Sequence, residues 1–146
     1  MKIELRSSPF DPLLELGCYQ SDLDERLPGR YGATAIFIGT MRDYNEGETV
    51  CGMTLEHYPG MTERYLQRIV ETASREWSLL DALVIHRVGE LQPNDPIVLA
   101  AVWSAHRAAA FAACRFIMEE LKSKAPFWKR EDTADGPRWV DHNTSG

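Results

Sequence analysis

The stretch ALVIHRVGEL-QPND-PIVLAAVWS, residues 82–104, decides the fold class. Its outer runs, 82–91 and 96–104, are apolar and rich in β-branched residues, which is strand composition. Gln92-Pro93-Asn94-Asp95 between them is a turn, so the two runs form a hairpin with no helical crossover. The same pattern recurs upstream. ATAIFIGTMR (33–42) reads as a buried strand and TVCGMTLEHY (49–58) alternates, with DYNEGE (43–48) as a loop between them. Residues 33–58 are therefore expected to form a long antiparallel hairpin.

KIELR (2–6) alternates and reads as a first strand, DPLLELGCYQ (11–20) as a short helix, and DERLPGRYG (24–32) as a loop. Pro59 suits the first turn of a helix. Tyr65, Leu66, Ile69, Val70, Ala73 and Trp77 then recur at helical spacing, with Glu63, Arg64, Arg68, Glu71 and Arg75 on the opposite face. A further helix spans 105–123, capped by Ser104. Two short strands, 126–131 and 137–141, follow around a turn at Asp135-Gly136, and the final HNTSG is expected to fray. Hairpins outnumber crossovers, which predicts a single α+β domain over 1–146 with a mixed, largely antiparallel sheet and helices packed on it.

Composition narrows the function. The 146 residues suffice for one domain with a real core, and no apolar run approaches membrane-spanning length. MKIELRSSPF lacks the apolar core of a secretory signal. Cys18, Cys51 and Cys114 are odd in number, widely spaced and form no CxxC, which argues against disulfides or zinc and for a reducing cytoplasm. A net charge of -6 argues against general nucleic-acid binding but leaves room for a local basic pocket. His57 and His142 have no partner at metal spacing. No glycine-rich phosphate loop, nucleophile elbow or Cys–His pairing occurs, so neither metal nor cofactor is expected. Cys114 reads as core and His86, inside a strand, as structural.

The candidate chemistry is cationic. At 100° per residue along 105–123, Phe111, Cys114, Ile117, Met118 and Leu121 form an apolar arc. Arg107 falls inside that arc and Lys122 at its edge. His106 and Arg107 occupy a first turn, where the helix dipole disfavours positive charge but backbone N–H groups favour an anion. Either they bind one, or Arg107 pairs with a carboxylate and His106 is a surface residue. Lys129 lies seven positions beyond Lys122. Alternation after Pro126 puts it on one strand face with Phe127 and Glu131, while Trp128 and Arg130 share the other. A lysine desolvated there, near other cations, loses its proton more easily. The alternative for Lys122 is simple complementation of the helix dipole. Arg42-Asp43 ends a strand at a loop and either lines a site or is solvated.

Taken together, Gly39-Thr40-Met41-Arg42-Asp43, Leu55-Glu56-His57-Tyr58 with Met61, His86-Arg87-Val88-Gly89, Ser104-Ala105-His106-Arg107, Leu121-Lys122 and Pro126-Phe127-Trp128-Lys129-Arg130-Glu131 resemble the catalytic, large subunit of molybdopterin synthase. The likeness runs from about Gly32 to Val140. It implies a hammerhead-like α+β fold and a homodimer with one small ubiquitin-like subunit at each outer end. That partner brings sulfur as a C-terminal Gly-Gly thiocarboxylate. The implied substrate is cyclic pyranopterin monophosphate (precursor Z), which becomes the dithiolene of molybdopterin. By the same resemblance Lys122 and Lys129 are catalytic; the resemblance leaves open which of them passes protons and which orients the thiocarboxylate, and Lys122 as proton carrier is the first assignment to try. Arg42, His106 and Arg107 bind the anion, and Thr40, Met41, Arg130 and Glu131 line the pocket. A hydrolase or lyase using the same cations, or a non-catalytic module for an anionic metabolite or partner tail, are the competing readings.

Overall fold

A computed structural model describes residues 1–45 and 48–140 of the chain. His142, the expected frayed end and part of the expected 43–48 loop lie outside the described residues. Twelve elements run in the order β1 (Lys2–Arg6), α1 (Pro12–Arg26), β2 (Ala33–Thr40), β3 (Tyr44–Asn45), β4 (Glu48–His57), α2 (Met61–Trp77), β5 (Asp81–Arg87), β6 (Gly89–Leu91), β7 (Pro96–Ser104), α3 (Arg107–Lys124), β8 (Phe127–Thr133) and β9 (Gly136–Trp139). The chain is α+β, as the hairpin count predicted.

The strands form two sheets where one was expected. One has the order β1-β5-β7-β2, with β1 parallel to β5 and the other neighbours antiparallel. The other has the order β3-β4-β8-β9, with β6 also on β4. The expected hairpin over 33–58 does not form. β2 pairs with β7 and β4 with β8, because alternation identifies a strand without naming its partner. The single strand expected over 82–91 is likewise divided. Gly89 takes φ +89°, open to glycine at little cost, so the chain leaves the first sheet after Arg87 and enters the second.

β5 is buried along its whole length, and its alternation feeds two cores. Leu83 and Ile85 join Leu99, Ala101 and Trp103 beneath Leu23 of α1. Ala82 and Val84 join Val98, Ala100 and Val102 beneath Leu66, Ile69 and Val70 of α2 and Ala113, Ile117 and Leu121 of α3. The first sheet therefore sits between α1 and the α2–α3 pair. A third cluster, Met41, Met53, Leu55 and Leu91, knits the second sheet to the end of β2.

Local signals shifted several boundaries. Asp11 accepts N–H bonds from Leu13 and Leu14 and Pro12 opens α1, which runs six residues past its expected end at Gln20. α2 starts after Gly60, at φ +84°, so Pro59 precedes the helix instead of sitting in its first turn. The first residue of α3 is Arg107, and Ser104 accepts from the His106 N–H at 3.3 Å without being the cap itself.

Candidate functional site

The two sheets meet above the C-terminal end of α3 and enclose a cavity of about 70 Å³. Gly39 and Thr40 of β2, Ile97 and Val98 of β7 and His86 of β5 line it from the first sheet. Leu55, Phe127 and Lys129 come from the second, and Leu121, Lys122 and Ala125 from α3 and its exit. No cysteine is among the described residues that line it. Thr62 braces the junction, its hydroxyl accepting from Tyr58 N–H and donating to the Pro126 carbonyl, each at 3.0 Å.

Lys122 and Lys129 are brought together here. Pro126 stops the helix with Ala125 already extended, at φ -66° and ψ 136°, so β8 turns straight back past the end of α3. Both side chains line the same cavity, and each perturbs the other's protonation. Burial pulls Lys129 down to about 8, the charge of Lys122 adds to the effect, and Glu131 opposes it. Lys122 is lowered by burial and by the charge of Arg42, while its interaction with Lys129 works the other way. Desolvation and like charge both disfavour the ammonium, so near neutral pH one of these amines gives up a proton readily.

The other predicted site residues divide into three groups. Thr40 lines the cavity, set there by a register shift between Gly39 and Thr40. Arg42 is exposed beside it, near enough to act on Lys122. Glu131 is 5% exposed on the Lys129 face of β8 and accepts from Arg138 at 3.0 and 3.2 Å. Met41 instead points into the third core cluster, held by the turn through Met41 N–H to Asp95 and Asn94 N–H to Met41. Arg130 lies on the opposite face of β8 and donates to Thr54 Oγ1 at 3.3 Å.

His106 and Arg107 are the main departure. Both are exposed, and Phe111 of the expected apolar arc is 70% exposed. The face that α3 does bury is Ala110, Ala113, Cys114, Ile117, Met118 and Leu121. Angular projection gives a direction but no height. Arg107 and Lys122 are about 22 Å apart along the helix axis, so they do not share one cavity within a chain. Cys114 is core as expected, its thiol pushed up to about 11 by burial.

His86 was read as structural, yet it lines the cavity. It is 4% exposed and stacks on Phe127 at 4.2 Å between ring centroids, 16° from parallel. Nδ1 lies 2.7 Å from the Arg87 carbonyl. Burial lowers the imidazole to about 4, and the charges of Lys122 and Lys129 push the same way. No spacing rule could have found it, since only the β5–β8 stack brings it to the lysines.

The two-sheet fold, with two partly desolvated lysines facing one cavity, defines an α+β protein with a buried cationic site. Its residues 17–124 match the model of the MoaE protein family. The chain is 49% identical over 145 residues to the molybdopterin synthase catalytic subunit of Pseudomonas aeruginosa, covering 99% of this chain and 93% of that one. With the Ralstonia nicotianae molybdopterin synthase catalytic subunit it shares 66% identity over 110 residues, 75% of this chain and 62% of the relative's length. The solved MoaE protein of Burkholderia ambifaria superposes with a TM-score of 0.79 at 45% identity, covering 99% of this chain and 92% of that one. The chain belongs to the MoaE family, the enzyme family of molybdopterin synthase catalytic subunits.

Proposed function

We propose that the cavity between Lys122 and Lys129 is where this chain transfers sulfur to cyclic pyranopterin monophosphate to build the molybdopterin dithiolene. The donor is the C-terminal thiocarboxylate of a small ubiquitin-like partner, docked on a homodimer of this subunit in the cytoplasm. The observation that carries this reading is the lysine pair itself: two amines in one part-buried cavity, with Lys129 held at about 8. A thiocarboxylate and a cyclic phosphate are both anions, and the sulfur nucleophile arrives on the partner, so no cysteine is needed at the site.

Lys129, the readier of the two to be neutral, is the better proton carrier, and Lys122 with Arg42 supplies the positive charge that receives the thiocarboxylate. This reverses the first assignment, because burial and the charge of Lys122 depress Lys129 furthest, while Arg42 acts on Lys122. Glu131 sets how far Lys129 is depressed. His106 and Arg107, at the far end of α3, serve an anion bound outside this cavity or the cavity of a second copy. Mixing the chain with a thiocarboxylated partner and precursor Z should yield molybdopterin. No product with a donor competent toward another catalytic subunit would refute the assignment.

A further inference from the structure

Among the described residues, Lys122 and Lys129 share their cavity with one other titratable group, the imidazole of His86. A carbonyl can only accept, so the 2.7 Å contact between Nδ1 and the Arg87 oxygen places the ring's proton on Nδ1. Nε2 is then an unprotonated acceptor. The stack on Phe127, together with that Nδ1 bond, fixes the plane of the ring. Both lysine amines lie near enough to disfavour its charging. The charged groups that act on it are Lys122 on α3 and Lys129 on β8, on which Arg42 beyond β2 and Glu131 of β8 act in turn. β7 presents the apolar Ile97 and Val98, and β1 sets Leu5 opposite.

We propose that His86 is a positioning residue for the lysine pair, its Nε2 accepting a hydrogen bond from whichever amine is charged and so setting how the pair shares its protons. Thr40 is the only other hydroxyl or imidazole side chain among the described residues lining the cavity, and its hydroxyl can donate as well as accept. A neutral imidazole held in one tautomer has a single role toward an ammonium. It accepts without adding a charge that would drive the lysines further from protonation. This inference rests on the sulfur-transfer reading only for its consequence in turnover; the proton-sharing itself is measurable without substrate.

The test is an NMR titration of the lysine side chains in the wild type, His86→Phe and His86→Gln, with turnover measured in parallel. His86→Phe keeps a flat ring against Phe127 but has no acceptor, and the proton affinity of the pair should fall about tenfold, the scale of a hydrogen bond to a charged group. His86→Gln restores an acceptor and should return the titration close to wild type. An unchanged lysine titration in His86→Phe would overturn the proposal, whatever happens to turnover. If His86→Phe does not fold, His86→Leu, which also lacks an acceptor, takes its place with the same expected fall, and a tenfold loss of proton affinity in folded His86→Gln would also overturn the proposal. Should the wild type make no molybdopterin, the titration still decides the role of His86 by itself.

Discussion

Lys122, at the last turn of α3, and Lys129, the third residue of β8, line one cavity, and each perturbs the protonation of the other. Two like charges so placed, in a part-buried setting, are a standing cost to the fold.

If the pair is a unit, removing either member should remove most of its effect. Lys122→Ala and Lys129→Ala are each expected to lower the rate of molybdopterin formation by about 100-fold or more, and the double variant should be little worse than the poorer single one. Circular dichroism and size-exclusion profiles should match the wild type. Multiplicative losses in the double variant would show two independent lysines.

The same crowding gives a stability prediction with a definite sign. Lys129 falls from an ordinary 10.5 to about 8 on folding, so between those values the unfolded chain holds more protons than the folded one. Its penalty is therefore full below about pH 8 and is relieved as pH rises toward 10.5. Lys129→Met, which keeps the length and loses the charge, should raise Tm by a few degrees at pH 7, on the scale of about 1 kcal/mol, while abolishing turnover. The gain should shrink at pH 10. An equal gain at both pH values would mean that packing, and not charge, is responsible.

What the sequence revealed and what it hid follow from the range of each signal. Strand 96–104 was legible to the residue because its apolar run is bounded by a turn on one side and polar residues on the other. Which strand it would pair with was not, and the β2–β7 partnership overturned the hairpin expected from adjacency. The face of β8 carrying Phe127, Lys129 and Glu131 was readable because alternation has a short period. His86 was missed because its approach to Lys129 depends on how two sheets pack together. Arg107 falls on the apolar arc by helical angle alone, and the rise of the helix sets it at the opposite end of α3 from Lys122, exposed.

Gly32 gives a purely steric test. Its N–H bonds to Ser104 at 3.0 Å, and a Cβ there would stand 2.5 Å from the Ala105 carbonyl oxygen, a backbone atom that cannot swing aside. Gly32→Ala should therefore destabilise the chain by about 1–3 kcal/mol, read from urea midpoints. The Ala105 carbonyl leads into His106 and Arg107, so if an anion binds at that end of α3 as proposed, its affinity should fall more than the rate of sulfur transfer. Equal stability with unchanged kinetics would show that the Ala105 carbonyl is free to move.

Glu131 separates proton carrying from simple charge neutralisation at Lys129. Its carboxylate holds the ammonium of Lys129 up against burial and against Lys122, and it accepts two bonds from Arg138. In Glu131→Gln an oxygen remains for Arg138 but the negative charge is gone, so Lys129 should titrate below its present value of about 8. If neutral Lys129 accepts a proton during sulfur transfer, the rate rises with pH to a plateau above about 8 in the wild type, and the glutamine variant reaches its plateau at lower pH. If Lys129 serves only as a positive charge, the wild-type rate instead declines above about 8, and the variant loses activity at a still lower pH. The direction of the limb in the pH–rate profile, read in both proteins, assigns the lysine its role.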